Sequence, residues 1–207
     1  MDKLTFDSEL EKLRDKIEVI RMAAHKVHAD VNQHYDHNLP YGYHLDSVVE
    51  FVKRFAAPIV DSSDDMLPLI FGAYFHDSIE DARLTYNNVH HIAVKLLGED
   101  KATSATEIVY ALTNEKGRTR AERANDKYYQ GIRSTPYAPI CKMADRLANV
   151  CYSVNSEDSK NSAMRHVYAK EASHFIAMIV SGGNSSDPRL SVPEEMVDML
   201  YSLLAIH

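Results

Sequence analysis

Apolar residues recur at helical spacing through most of the chain. Leu10, Leu13, Ile17, Ile20, Ala24, Val27 and Val31 form one stripe, and Ser8 with Glu11 has the form of a capping box, so a helix is expected to start there. Val48, Val49, Phe51, Val52 and Phe55 repeat the stripe until Pro58 halts it. An apolar run from Met66 to Phe75 follows, with Pro68 tolerated only in a first turn. Thr85 reads as the cap of a helix closed by Gly98, and further helices are expected over 101–113, 119–132, 138–152 and 160–180. Ser191 with Glu194 marks a last helix whose Met196, Met199, Leu200 and Leu203 turn inward. Alternating Val/Ile/Thr runs between tight turns are nearly absent. The pattern predicts an all-α fold, a bundle of about eight to ten helices.

With 207 residues, 45% of them hydrophobic, the expected organisation is one domain over 1–207. The polar stretches Ser153–Lys160 and Ser181–Asp187 read as loops too short to divide it. A net charge of -7 argues against a binder of nucleic-acid backbones, which presents a basic face. Cys141 and Cys151 sit ten residues apart on one expected helix, about 15 Å along its axis, and cannot pair there. No apolar run approaches 18 residues, and the N-terminal stretch lacks a signal-peptide core, so a cytoplasmic protein without membrane association is expected. Neither a GxGxxG nor a GxxxxGKS loop is present, which removes the dinucleotide-fold and P-loop classes.

The chemistry concentrates at His76-Asp77-Ser78-Ile79-Glu80-Asp81, which interrupts the apolar run without transition. If the helix continues, His76 stands over Glu80 and Asp77 over Asp81. Three carboxylates beside a core segment need either solvent or a cation, because an unpartnered buried carboxylate is costly. An acidic helix end emerging into water satisfies the hexapeptide equally well. Two other segments tilt the balance: Pro40-Tyr41-Gly42-Tyr43-His44, a turn delivering a histidine to a helix start, and Lys142-Met143-Ala144-Asp145-Arg146-Leu147-Ala148-Asn149. His44, His76, Asp77 and Asp145 together form a mixed N/O ligand set that suits Mn²⁺, Fe²⁺ or Zn²⁺ and leaves positions for water and substrate. Of the other histidines, His34 and His37 fall in a polar loop, and adjacent His90 and His91 point to different faces of their helix.

The order of His, His-Asp and Asp on separate segments resembles the HD superfamily of metal-dependent phosphohydrolases. The Pro-Tyr-x-x-His, HDxxED and K-x-A-D-R-x-x-N segments resemble, within it, the RelA/SpoT hydrolase domain and the stand-alone small alarmone hydrolases. The matches span 24–150 and include weaker echoes at Ala24-His25-Lys26 and Ala111-Leu112-Thr113-Asn114. The resemblance implies an HD-type helical bundle, one Mn²⁺ on His44, His76, Asp77 and Asp145, and removal of the 3′-pyrophosphate of ppGpp or pppGpp. It marks Glu80 and Asp81 as catalytic, and His25, Lys26, Arg123, Lys142 and Asn149 as substrate contacts. Arg123 belongs to a segment, 115–133, that carries +3 against -10 for the rest of the chain. Leu45, His25 and Ala148 depart from the family pattern; the ligand set is untouched, and the departures bear on guanosine versus adenosine alarmones. The partner implied is a small nucleotide, with no nucleic acid and no membrane. Two other readings stay open: a different HD nucleotide phosphohydrolase, for instance one acting on nucleoside monophosphates, and an antitoxin of a toxic alarmone synthetase. The 27 residues after Val180 carry no motif and suit either a final packed helix or a homo-oligomer interface.

Overall fold

The computed structural model describes residues 1–37, 39–156, 158–180 and 186–205. Among them are eleven α-helices: α1 Lys3–Lys12, α2 Arg14–Asp30, α3 Gly42–Phe55, α4 Met66–Phe75, α5 Tyr86–Leu97, α6 Glu99–Leu112, α7 Arg120–Arg123, α8 Asp126–Ser134, α9 Ala138–Asn155, α10 Ser159–Val180 and α11 Glu194–Leu204. Two short strands, β1 His34–Asp36 and β2 Leu39–Pro40, pair antiparallel ahead of α3. The result is a single-domain helical bundle, and no helix is long and apolar enough to cross a membrane among the described residues.

α4 is the axis of the bundle. None of its ten residues is charged and all are buried, so every face is covered, by α2, α3, α5, α6 and α9. Gly72 brings α6 close: a Cβ there would lie 2.4 Å from Cγ2 of Ile108. Thr85 caps α5 in a reciprocal box with Asn88, and Gly98 ends it at positive φ, as its sequence predicts.

Four expectations on element boundaries need correction. Ser8 lies inside α1; the cap is Asp2, whose carboxylate accepts from the Thr5 N–H at 2.9 Å. The expected first helix breaks at Leu13, which lets Phe6 of α1 and Ile17 of α2 both reach the core. The segment 119–132 is two helices, because Asn125 caps anew by accepting from the Tyr128 N–H. Ser191 forms no box with Glu194; its hydroxyl donates to Pro188 O at 2.6 Å, and Pro193 opens α11. Met196 and Leu200 are buried as expected, whereas Met199 and Leu203 are half-buried. Helix also takes most of the expected loop at 153–160, and 181–185 of the other one lie outside the described residues.

Candidate metal centre

Three elements converge on one point. The Tyr41 turn starts α3 and places His44 in its first turn, on the same buried face as Leu45, Val48, Val49 and Val52. α4 ends at Phe75, and the chain leaves it in a turn closed by Ser78 N–H to Phe75 O (2.9 Å) and Asp81 N–H to Asp77 O (2.8 Å), which keeps His76 and Asp77 at the core boundary. α9 brings Asp145 to the same place, with Lys142 one turn before it and Asn149 one turn after.

Nε2 of His44 lies 3.3 Å from Nε2 of His76 and 3.4 Å from Oδ1 of Asp145, and Oδ1 of Asp145 is 3.9 Å from Nε2 of His76. Oδ2 of Asp77 stands 2.9 Å from the His76 nitrogen and 3.6 Å from that of His44. The four side chains expected from the sequence as ligands are thus brought together.

These groups fit a divalent cation. Nδ1 of His76 donates to Ala73 O at 2.8 Å, so Nε2 carries the lone pair and faces the other three donors. Two imidazole nitrogens facing each other at 3.3 Å cannot both present lone pairs unless a proton or a cation stands between them. Burial pushes the His44 imidazole down, but Asp145 and Asp77 outweigh it and hold its pKa up at about 9; His76 is raised in the same way, chiefly by Asp77. Burial opposes ionisation of Asp77 and Asp145 too, yet the imidazoles, and Lys142 beside Asp145, hold both carboxylates below the usual range. Without metal, then, a proton on His44 supplies positive charge that the carboxylates require, and the same carboxylates favour the protonated form of His76. All donors are nitrogen or oxygen, which suits Mn²⁺, Fe²⁺ or Zn²⁺.

Each ligand is fixed from behind. Asp145 takes Lys142 Nζ on Oδ2 at 2.8 Å and Asn149 Nδ2 on Oδ1 at 2.6 Å, and Asn149 Oδ1 accepts the Tyr35 hydroxyl at 2.9 Å. The Tyr35 ring stacks on His44 at 4.8 Å and 9°. The Tyr41 hydroxyl reaches Asp77 Oδ2 at 2.5 Å and Asp81 Oδ2 at 2.7 Å. One hydroxyl proton cannot serve two carboxylates at once. Burial, then the charge of Asp77, raises the Asp81 carboxyl, so Asp81 is the member of the pair disposed to hold a proton. Glu80 is exposed and held by Asn114 Nδ2 on both oxygens, at 2.9 and 2.8 Å.

A cleft of about 820 Å³ opens over Asp77 and Asp145 and is lined also by Glu80, Asp81, Arg120, Arg123, Lys142, Arg146 and Asn149. Of the six cations in 115–133, Arg120 and Arg123 face it; Lys127 instead pairs with Glu115 at 2.8 Å and Arg133 donates to Met178 O. A second cavity of about 590 Å³ lies behind His44, walled by Tyr35, Tyr43, Phe51 and Tyr152.

His25 and Lys26 line neither cavity. The buried stripe of α2 is Ile17, Ile20, Ala24 and His28, which turns His25 toward α3, where it meets Asp46 at 2.9 Å, and leaves Lys26 paired with Asp30 on the surface. The histidine that approaches the centre is His28, stacked on Tyr41 at 4.4 Å and held neutral by burial, with a pKa near 4. Tyr41 lies inside the Pro-Tyr-x-x-His segment, and Arg146 inside the K-x-A-D-R-x-x-N segment, and both were open to recognition there; Tyr35 and Glu171 carried no local signal.

The fold has a solved counterpart. A structure described as a metazoan ortholog of SpoT that hydrolyzes ppGpp and plays a role in starvation responses superposes with a TM-score of 0.58, over 93% of this chain and 97% of that one, at 18% identity. The bundle therefore has the fold of a SpoT-like hydrolase. No family model and no curated protein matches the sequence.

Proposed function

We propose that this chain is an HD-type, Mn²⁺-dependent hydrolase that removes the 3′-pyrophosphate of guanosine tetra- and pentaphosphate alarmones. The observation that carries the reading is the meeting of His44, His76, Asp77 and Asp145 at the floor of a cleft whose rim holds Glu80, Asp81 and four cationic side chains. The likeness to a ppGpp hydrolase supports it through the fold.

A divalent cation bound by the four ligands supplies Lewis acidity, lowering the pKa of a water molecule and drawing charge from a phosphate oxygen. The chain's own residues do the rest. Glu80, pinned by Asn114, orients the attacking water. Asp81, whose carboxyl burial and the charge of Asp77 raise above the usual range and which shares the Tyr41 hydroxyl with Asp77, exchanges the proton. The water oxygen bonds to the phosphorus nearest the ribose, the P–O3′ bond breaks, and the 3′ oxygen takes a proton as pyrophosphate leaves. Arg120, Arg123 and Arg146 face the polyphosphate, and Lys142 holds Asp145 in place.

The test is turnover of ppGpp, ppApp and a panel of nucleoside monophosphates by metal-stripped protein with and without Mn²⁺. Pyrophosphate release from ppGpp only with Mn²⁺ is the expected result, and Glu80→Gln or Asp81→Asn should lower it by about 10²- to 10⁴-fold with metal still bound. Orthophosphate release from monophosphates, or no turnover at all, would assign the site to another substrate. Neutralisation of a toxic synthetase by an Asp77→Ala variant would place the activity in protein contact instead.

A further inference from the structure

Two anions lining the cleft, Asp126 and Glu171, have no part in the centre, and the second is held by arginines. Glu171, on α10, faces the cavity between two arginines from different elements. Its Oε1 accepts Arg120 Nε at 2.9 Å, and its Oε2 accepts Arg120 Nη2 at 3.0 Å and Arg146 Nη1 at 2.9 Å. The two arginines are held differently. The Arg146 guanidinium is buried and clasped by the Phe175 and Tyr168 rings, 4.3 and 4.9 Å from their centroids. Arg120 is half-exposed on the four-residue α7, and reaches Glu171 across the cleft with its guanidinium over the Tyr168 ring at 5.6 Å.

A carboxylate gripped by a guanidinium fork on one side and a second guanidinium on the other presents its oxygens as a phosphoryl group would. We propose that Glu171 is a stand-in anion: it occupies the clamp of Arg120 and Arg146 that a terminal phosphoryl group of the substrate takes, and its charge sets how tightly the cleft holds polyanions. On binding, Arg120 transfers from Glu171 to the phosphoryl oxygens while ring-clasped Arg146 keeps its place and bridges both. Glu171 thereby weakens the hold on the pyrophosphate product and favours its release. The substrate named rests on the hydrolase reading above; the clamp itself is an anion site for any phosphoryl group.

The test separates the two. Binding of inorganic pyrophosphate is measured by calorimetry on chelated protein at pH 7.5, where free Mn²⁺ cannot sequester the ligand. Glu171→Gln keeps the shape and removes the charge, and should bind about tenfold tighter with a steeper salt dependence. Arg120→Gln, a change at a half-exposed residue, should weaken binding about tenfold in the native background, and should cancel the gain in the double variant. Equal or weaker binding by Glu171→Gln, or no effect of Arg120→Gln, overturns the proposal and leaves Glu171 as a tie between α7 and α9. With Mn²⁺ present, Glu171→Gln should lower KM for ppGpp more than it changes kcat. If pyrophosphate binding responds as stated while no alarmone is turned over, the clamp stands and the substrate assignment falls.

Discussion

Removing metal from the centre should make the protein's stability fall with pH where the Mn²⁺-loaded form holds level. In the metal-free protein the His44 pKa rises from an ordinary 6.5 to about 9 through Asp145 and Asp77. A group raised on folding stabilises fully below its unfolded pKa and loses that contribution as pH climbs through the folded one. The window is therefore pH 6.5 to 9, and the 2.5-unit rise corresponds to about 3 kcal/mol at this nearly inaccessible side chain. His76 shifts in the same direction and adds to it. For 207 residues, about 2–4 °C per kcal/mol makes the expected fall in Tm roughly 6–12 °C. The metal requires both imidazoles neutral, so the stabilisation that added Mn²⁺ gives should grow across the same window. Calorimetric melts of chelated and Mn²⁺-loaded protein at pH 6.5, 7.5 and 9, with His44→Gln as reference, measure both arms. A chelated protein whose Tm is flat or rising between pH 6.5 and 9, or a His44→Gln variant with the wild-type slope, would refute the proton-for-metal exchange.

Two further outcomes follow from the supporting contacts. Tyr41→Phe deletes the hydroxyl shared by Asp77 and Asp81, so Mn²⁺ affinity should drop about 10- to 100-fold, with little change in the melt of the chelated protein; titration with Mn²⁺ reads it directly. Lys142→Met strips the cation from Asp145 Oδ2 and leaves a nearly buried carboxylate short of charge, which should cost about 3 kcal/mol in urea unfolding of chelated protein and less once Mn²⁺ is bound.

Three of the candidate ligands stand out in the sequence because they break a local rule. α4 contains no charged residue, so the His-Asp pair that follows it without a polar transition has no packing reason to be there. Asp145 interrupts the buried face of α9 in the same manner, between Ala144 and Leu147. What escaped detection depends on pairing between distant elements. The Tyr35 hydroxyl meets Asn149 across 114 residues, and its ring meets His44 only because β1 folds back beside the start of α3. Glu171 and Arg146 are 25 residues apart on two helices whose crossing no periodicity encodes. His25 shows a second limit of the sequence reading. The stripe Ile17, Ile20, Ala24 extends by one turn to His28, not to His25, so helical phase alone already favoured the other histidine as the inward one, and the resemblance at Ala24-His25-Lys26 led away from it.

On the proposed reading, the charge of the cleft accounts for how a chain of net charge -7 would hold a polyphosphate. Arg120, Arg123, Lys142 and Arg146 face six carboxylates there, those of Asp77, Glu80, Asp81, Asp126, Asp145 and Glu171. By formal charge the metal-free cleft with neutral imidazoles is negative, and would repel a polyanion. Two positive charges at the His44 and His76 end, whether a divalent cation or two protons, bring the balance to neutral and leave the arginine side as the attractive wall. On that reading the wall and the centre form one electrostatic device: the carboxylates that would hold the metal would also make phosphate binding depend on it. The basic segment 115–133 would not suffice without those two charges, since most of its own charge is turned away from the cleft or paired.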